Sequence, residues 1–568
     1  MNFLLNPRKY DKQHPDQKTH EVMTKTMDFF ETKGLNNLTY DDRLGRWYSD
    51  FLQFIKKEQI FATLLTPTGY GAPDSRFDLS RVCEFNEVIA FYSLAHQYSY
   101  QVSILGVGPI WMSKNEEIKH KAAQMLIDGG IFAFGLSERE HGADIYSNEM
   151  KLKPLGDGKY RADGSKYYIG NCNLASIVST MGRNTETGDF VFFAVDSQHS
   201  NYRLAKQIYT TGSHSGYLGA YDLIEYPITE AEILSEGEAA WDASLSTVNI
   251  GKFQIGFSSL GMVEHSLYEA LNHAQNRILY GRSVTEFPHI KKFFVEAYCR
   301  TVAMKLYALR SLDYFRSSSA EDRRYLLFNP IQKMKVTTQA VKVMDILTDI
   351  IAAKSYEQET HFAAAQTTIG YQPRLEGTTH VNMAQIVKFM QNYFFNPVDY
   401  PVIPKRDEPG DDSYLFQQTA GRVSTVTFPD YRLAYEGIHL PNIDKFREQI
   451  ELLKEFLVKA TPSKEQSKNI DYMLAFGDMF TLVVYGQLIL ENIKHYDISE
   501  PVVDYIFNFL VRDFAQFALY QISNFENSEA QMKYLQAMIM TPAIDPALVQ
   551  TIWDNDVKVL IGAYTMNP

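Results

Sequence analysis

The feature of this sequence that most constrains the fold is a change in the spacing of its apolar residues, which occurs twice along the chain. From about residue 20 to 129, apolar side chains recur every three or four positions, the spacing of amphipathic helices. After Gly130 the pattern becomes that of strands, with dense aromatic and β-branched runs such as residues 190–195. Helical spacing returns in a long apolar stripe over residues 253–278. This order predicts helices, then a β region, then helices again.

A chain of 568 residues is too long for one core, so we divide it by these patterns. We predict a mainly α protein with a central β domain: an N-terminal helical domain (1–130), a middle β-barrel-like domain (131–240) and a C-terminal four-helix bundle (241–396). Four prolines among charged residues mark 397–413 as a linker. Residues 414–568 form an extra C-terminal helical domain without a chemical motif. Within the β domain, the Asp163-Gly164 pair predicts a hairpin turn.

Composition excludes several classes of function. The formal net charge of -13 argues against a nucleic-acid partner, because binding to phosphate backbones draws on excess lysine and arginine. The three cysteines are far apart and show neither disulfide nor zinc spacing, so we expect no metal site and a reducing compartment. The N-terminus has no apolar segment of signal-peptide length, which favours a cytoplasmic location. The most apolar later run, residues 480–490, is shorter than a membrane span and predicts a buried helix rather than a transmembrane segment.

One stretch, residues 373–382, contains an isolated carboxylate in an apolar and flexible setting. Glu376 lies between Leu375 and Gly377 and is followed by the hydroxyls of Thr378 and Thr379. Desolvation in such a setting raises the pKa of a carboxyl group towards neutrality, where it acts as a general base. The ordinary alternative is a solvated glutamate at the end of a helix or loop.

Two further stretches each have a functional and a structural interpretation. At residues 132–144 a strand runs into a polar turn containing Ser137, whose hydroxyl and neighbouring N–H groups suit the edge of a heterocycle. The alternative is a charged surface loop. At residues 277–282, Arg277 and Arg282 suit a pyrophosphate, although cations at the end of a helix also simply complement its dipole.

Taken in order, these stretches resemble the motifs of the acyl-CoA dehydrogenase family. In that family a TEPxAGSD-like strand and turn is followed by a KxWITN-like hairpin, an RxxFG-like helix end and a YEGT-like turn that carries the base. The matching residues here are, in the same order, Ser137-Glu138 with Gly142 and Asp144, then Lys166 to Asn171, then Arg277 with Tyr280-Gly281, and finally Leu375 to Thr378. The resemblance covers residues 20–395, and the remainder would be an extension like that of some longer members.

The resemblance implies an FAD-dependent enzyme that desaturates the α,β bond of an acyl-CoA thioester. A base removes an α proton while a β hydride passes to flavin N5. Glu376 matches that base. The residues implied for the cofactor are Leu136, Ser137, Gly142, Tyr168, Gly170, Arg277, Tyr280, Thr378 and His380, and those implied for the substrate are Ala143, Lys252 and Gly377. The implied partners are the acyl-CoA substrate and an electron-transfer flavoprotein or similar acceptor. Arg277 matches an arginine that reaches FAD across a subunit interface, which implies a homodimer or homotetramer.

The sequence departs from the family pattern at several of these positions. Tyr168 replaces a tryptophan, Ala143 replaces a serine, and Gly170 stands where a threonine or serine usually bonds flavin N5. Further along, two glycines that approach the FAD adenosine become Ala352 and Ala353, which adds Cβ atoms there. Three functions therefore remain open: an acyl-CoA dehydrogenase, an acyl-CoA oxidase that reacts with O2, towards which Gly170 leans, and a non-catalytic acyl-binding or scaffolding member.

Overall fold

The computed structural model describes residues 3–10, 14, 16–417 and 425–568. The chain begins with seven helices: α1 (Gln17–Lys33), α2 (Leu35–Arg43), α3 (Ser49–Lys57), α4 (Ile60–Leu65), α5 (Leu79–Tyr92), α6 (Leu94–Met112) and α7 (Glu116–Ile127). Helix α6 is almost completely buried, and Gly106 lets it press on the neighbouring strand. A Cβ atom at Gly106 would lie 2.6 Å from the backbone nitrogen of Ala133. Gly106 therefore permits a close approach between α6 and β1.

Eight strands follow and form one mixed sheet. They are β1 (Phe132–Gly135), β2 (Lys151–Gly156), β3 (Lys159–Gly170), β4 (Ile177–Asn184), β5 (Phe190–Val195), β6 (Tyr202–Gln207), β7 (Leu218–Thr229) and β8 (Ile233–Glu236). The order across the sheet is β6-β7-β3-β2-β4-β5-β8, with β1 pairing in parallel with β4. The two longest strands, β3 and β7, pair antiparallel. Strand β3 contains Lys166 and Tyr167, which contact the polar turn that follows β1.

The hairpin turn predicted at Asp163-Gly164 is wrong. These residues lie within β3, where the register with β7 shifts and Gly164 has φ +149 at a bulge. A Cβ atom there would lie 2.9 Å from the sulfur of Met150. The turn between β2 and β3 uses the Asp157-Gly158 pair instead, with φ +51 and +67. The same dipeptide thus serves once as a turn and once as a bulge, because both need glycine's freedom.

Helices return with α8 (Glu238–Asn276), which carries the long apolar stripe and is mostly buried. After the short strands β9 (Ile278–Leu279) and β10 (Arg282–Ser283) come α9 (Pro288–Arg316), α10 (Tyr325–Ile331), a π-helical turn (Gln332–Val336), α11 (Thr337–Ile351), α12 (His361–Ile369), α13 (Thr379–Ile386) and α14 (Met390–Phe395). The long helices α8, α9 and α11 pack on one another and on α5 and α6. They form the bundle against which the sheet is placed.

The last part of the chain is helical as well: α15 (Pro441–Lys459), α16 (Lys464–Lys468), α17 (Ile470–Ile493), α18 (Glu500–Asn524), α19 (Glu529–Met538) and α20 (Pro546–Ile552), followed by a π-helical turn (Trp553–Val557). Among the described residues one helix, α17, has the length and apolar composition to cross a membrane, and 83% of its most apolar window is buried inside the protein. The predicted fold class, helical at both ends with a central β domain, is confirmed.

Candidate active site

Glu376 lies in the turn between α12 and α13. Glu376 and Gly377 both have positive φ, +50 and +97, which turns the glutamate side chain away from solvent. The carbonyl oxygen of Gly377 accepts hydrogen bonds from Lys333 Nζ at 3.2 Å and from Asn382 Nδ2 at 3.0 Å. Thr378 is the N-cap of α13. The turn is therefore held by a lysine from the π-helical turn and by the helix that follows it.

The carboxylate of Glu376 points into the interior, although the residue itself is partly exposed at the turn. Oε1 accepts a hydrogen bond of 2.9 Å from Nε2 of Gln101 on α6, which also donates to the Gly251 carbonyl at 2.8 Å. Oε2 is buried and has no hydrogen-bond partner among the described residues. A Cβ atom at Gly251 would lie 2.7 Å from Oε2. The absence of a side chain at Gly251 is what leaves room for the carboxylate.

Burial dominates the electrostatics of this carboxylate and raises the pKa of Glu376 to about 7. The hydrogen bond from Gln101 and the charges of Lys333 and Lys252 partly oppose that rise. Burial also lowers the pKa of Lys333 to about 7 and that of Lys252 to about 8, against the attraction of Glu376. One acid and two amines thus have pKa values brought close to neutrality, an arrangement typical of acid–base sites.

The end of β1 and the second half of β3 form the opposite side of the site. Ser137 Oγ donates to the Tyr167 carbonyl at 2.7 Å, and the Tyr167 N–H donates to the Ser137 carbonyl at 3.0 Å. The Leu136 carbonyl accepts from the buried Lys166 Nζ at 3.0 Å. Tyr168 has φ +63 and is 61% exposed. The predicted residues Leu136, Ser137 and Tyr168 therefore lie close together, where the end of β1 contacts β3.

The polar turn that follows β1 is anchored by a buried ion pair. Glu138 Oε1 lies 2.9 Å from Lys166 Nζ, and the Glu138 carboxylate also accepts the backbone N–H groups of Glu149 and Met150. Gly142 and Ala143 lie at the exposed tip of this turn. The ordinary surface-loop interpretation fits the tip, whereas Glu138 is a structural anchor.

Helix α6 connects the two sides of the site. Tyr98 and Val102 contact Gly170 at the end of β3, and Gln101 reaches Glu376. Gly170 and Glu376 therefore both contact the face of α6 that carries Tyr98, Gln101 and Val102. Lys252 lies beside the glutamate and donates to Gln385 of α13 at 3.3 Å, while His380 is exposed on α13.

The remaining predicted residues lie on the protein surface. Arg277 is the C-cap of α8 directly before β9, and Tyr280 lies in the turn of the β9–β10 hairpin, where it is 97% exposed. At the end of α11, Ala352 has φ +60 and ψ -138, a conformation that favours glycine. The backbone thus keeps the shape of a glycine turn although Ala352 and Ala353 are both exposed alanines.

Four residues that shape this site were missed by sequence reasoning: Gln101, Tyr98, Gly251 and Lys333. The first three lie within helices whose sequence shows only apolar spacing. Lys333 offered one signal, since a lysine that interrupts the apolar face of a predicted helix needs a partner when buried.

Known proteins share both sequence and fold with this chain. Residues 240–391 match the family model described as "Acyl-CoA dehydrogenase, C-terminal domain". The short-chain specific acyl-CoA dehydrogenase of Megasphaera elsdenii is 21% identical over 366 residues, which cover 63% of this chain and 93% of that protein.

Two solved structures extend the comparison. The acyl-CoA dehydrogenase of Bacillus anthracis, solved with FAD, aligns over 98% of this chain and 96% of its own at TM-score 0.77 and 14% identity, so its fold includes the C-terminal extension. The butyryl-CoA dehydrogenase of M. elsdenii aligns over 66% of this chain and 98% of its own at TM-score 0.61 and 19% identity. Residues 240–391 thus match the acyl-CoA dehydrogenase family, the curated acyl-CoA dehydrogenase is similar to the chain beyond that segment, and the solved acyl-CoA dehydrogenases share its fold.

Proposed function

We propose that this chain is an FAD-dependent acyl-CoA dehydrogenase in which Glu376 is the base. The observation that carries the proposal is the Glu376 carboxylate itself, which is buried, has one oxygen without a partner in the described part of the chain, and has a pKa raised to about 7. A general base works best when its pKa lies near the operating pH. The names of the relatives, which are acyl-CoA dehydrogenases, support the same reaction class.

The two carboxylate oxygens have different tasks in this proposal. Oε1 is held by Gln101, which fixes the orientation of the carboxylate. Oε2 is the oxygen that is free to accept the α proton of a thioester. The cations Lys252 and Lys333 favour the ionised form and keep the pKa from rising further. Burial and the two amines thus act in opposite directions on the pKa of Glu376. As a result, the base is ionised near neutral pH and still accepts a proton readily.

The residues of the opposite side fit a flavin. The end of β3 presents an exposed aromatic ring at Tyr168 and no side chain at Gly170, next to the hydrogen-bonded Ser137. The turn at Ala352 keeps its glycine-like backbone. Leu136, Ser137, Tyr168, Gly170 and Thr378 would hold the flavin, and Gly142 and His380 would border it. Bound FAD supplies the acceptor for the β hydride.

The partners follow from the same proposal. An acyl-CoA would enter between α6, α8 and the end of β3, with Ala143 and Lys252 along its path and the Gly377 turn beside its reacting carbons. An electron-transfer flavoprotein or a similar acceptor would reoxidise the flavin. The exposed hairpin with Arg277 and Tyr280 suits contact with a second copy of the chain, as in a homodimer or homotetramer.

The proposal is tested by replacing Glu376 with glutamine. Glu376→Gln keeps the shape and the hydrogen bond to Gln101 but removes the base, so we expect substrate-driven bleaching of the flavin to slow by at least about 10³-fold while FAD stays bound. Stopped-flow absorbance under anaerobic conditions with a panel of acyl-CoA thioesters measures this. Retained bleaching would show that another residue is the base, and a wild-type protein unable to take up FAD would leave only the non-catalytic interpretation. Rapid reoxidation in air with peroxide formation would identify an oxidase instead.

A further inference from the structure

Helix α6 places a tyrosine hydroxyl beside the end of β3, at a position the sequence did not single out. A Cβ atom at Gly170 would lie 2.7 Å from Tyr98 Oη and 2.8 Å from Tyr98 Cε1. One atom further along the ring, a Cβ atom at Gly216 would lie 3.7 Å from Cδ1. The Tyr98 ring therefore lies next to two glycines, with its hydroxyl at Gly170.

Glycine is needed at position 170 because a Cβ atom does not fit there, and not because of the backbone conformation. It is absent from the residues with positive φ, so its backbone would accept any side chain. A Cβ atom would nevertheless collide with Tyr98, and it would lie 2.6 Å from Val102 Cγ2. Cβ atoms almost never come within 3.0 Å of another heavy atom, so Gly170 and Tyr98 are complementary in size.

The hydroxyl of Tyr98 has no hydrogen-bond partner among the described residues. Tyr98 is only partly buried and its hydroxyl is not among the buried atoms that lack a partner, so the hydroxyl is accessible to a ligand. Burial raises the pKa of Tyr98, and the charge of Glu376 acts in the same direction, which places the phenol near the candidate base. The neutral phenol is therefore an accessible donor without an acceptor among the described residues.

We infer that Tyr98 is a cofactor-binding residue whose hydroxyl, placed where a side chain of residue 170 would otherwise lie, donates a hydrogen bond to the edge of the flavin. This inference rests on the proposed function. Tyr98 would supply from α6 the hydroxyl that β3 cannot offer at position 170. It also narrows the space beside Glu376, so Tyr98 contributes to the wall that the acyl group meets.

Flavin binding without substrate tests this inference. The variant is Tyr98→Phe, which keeps the ring and removes only the hydroxyl. The control is Tyr520→Phe, a half-exposed tyrosine on α18 in the extension. We expect Tyr98→Phe to weaken FAD binding to the apoprotein by roughly three- to tenfold, the worth of one hydrogen bond, and to shift the flavin absorption band. The control should bind like the wild type.

If Tyr98→Phe leaves both affinity and spectrum unchanged while the wild type binds FAD, Tyr98 only fills space and the inference is wrong. If the wild type binds no FAD, the proposed function fails and this inference with it.

A second set of variants tests the complementarity with Gly170. Gly170→Ser alone places a side chain against Tyr98, so we expect FAD affinity to fall by roughly tenfold or more. The double variant Gly170→Ser/Tyr98→Ala removes the collision with Tyr98, keeps the one with Val102, and moves the hydroxyl to β3, so we expect at least about threefold higher affinity than in Gly170→Ser alone. Calorimetric melting of each apoprotein checks that it is folded. Equal losses in the single and double variants would overturn the inference.

Discussion

The pKa of Glu376 depends on a lysine whose position is set by an irregular turn of helix. Lys333 is fully buried, and its Nζ donates to the carbonyl of the neighbouring Gly377. It lies in the π-helical turn that follows Pro330, and such turns are frequent at functional sites. Lys252 approaches the same carboxylate from α8, and Gln101 from α6. At the scale of residues, one acid is thus surrounded by two cations and one amide.

Removing the positive charge of Lys333 should shift the pH dependence of the reaction. The ionised carboxylate is the active form, and Lys333→Met removes a charge that favours ionisation. We therefore expect the pKa of Glu376 to rise above its value of about 7, and the rise of the bleaching rate with pH to move about one unit towards higher pH. Lys333→Arg keeps the charge and is the control. A variant that loses rate but keeps the wild-type pH profile would show that Lys333 only holds the turn.

At the scale of elements, the turn at the end of α11 carries the two alanines that depart from the family pattern. Ala352 has a backbone conformation in which alanine is strained, whereas Ala353 is absent from the residues with positive φ. Both are exposed in the described chain. The element therefore offers a matched pair of neighbouring positions with different backbone requirements.

Glycine at these two positions should have opposite effects on stability. Ala352→Gly relieves strain of about 1–3 kcal/mol and adds chain entropy to the unfolded state, so we expect a net gain of about 1 kcal/mol in the free energy of unfolding. Ala353→Gly relieves nothing and should cost about 0.5–1 kcal/mol. Urea unfolding of both variants measures the difference. A loss of stability in Ala352→Gly would contradict the strain, and titration with FAD would show whether the relaxed turn also binds the cofactor more tightly.

How much the sequence could predict also differs among elements. The apolar stripe predicted α8 and the aromatic run predicted β5, because those patterns depend on local spacing. The Asp163-Gly164 turn was mispredicted because a bulge needs the same residues as a hairpin. The hydrogen bond between Gln101 and Glu376 joins residues 275 positions apart, so no local pattern reports it. The same holds for the contact of Tyr98 with Gly170, which depends on how α6 packs against the sheet.

At the scale of the whole molecule, the extension is packed into the bundle and supports the candidate site. Helix α17 packs on α13, where a Cβ atom at Gly477 would lie 2.6 Å from Val387 just beyond that helix. The segment predicted as a linker is also held, since the buried Asp412 accepts Arg316 Nε and the Leu79 N–H at 2.9 and 2.8 Å. At the far end, Tyr564 Oη donates to Glu31 of α1 at 2.8 Å.

A buried ion network fastens α18 of the extension to α9 and α11 of the bundle. Asp513 lies 3.1 Å from Nη1 of Arg300 and 3.1 Å from Nζ of Lys342. Arg300 also pairs with Glu296 at 2.7 Å. Burial alone would raise the pKa of Asp513, but Arg300 and the neighbouring lysines hold it well below its ordinary value. The aspartate is therefore ionised in the folded protein and compensates several buried cations.

Replacing Asp513 tests whether the buried ion network holds the C-terminal extension to the bundle. Asp513→Asn keeps the volume but removes one of the two charge partners of Arg300 and the charge partner of Lys342, so we expect the free energy of unfolding to fall by about 3–5 kcal/mol. Asp430→Asn, in a more exposed pair with Arg432, should change it by less than about 1 kcal/mol. Because the folded pKa of Asp513 is depressed, its contribution is present above the unfolded pKa of about 4 and is lost as pH falls below it. The difference between wild type and Asp513→Asn in urea unfolding should accordingly shrink from pH 7 to pH 3.

If the bundle and the extension unfold as one unit, the variant lowers a single transition. A separate early transition in Asp513→Asn would mean that this network is their main attachment, whereas equal effects of the two variants would show that apolar packing alone joins them.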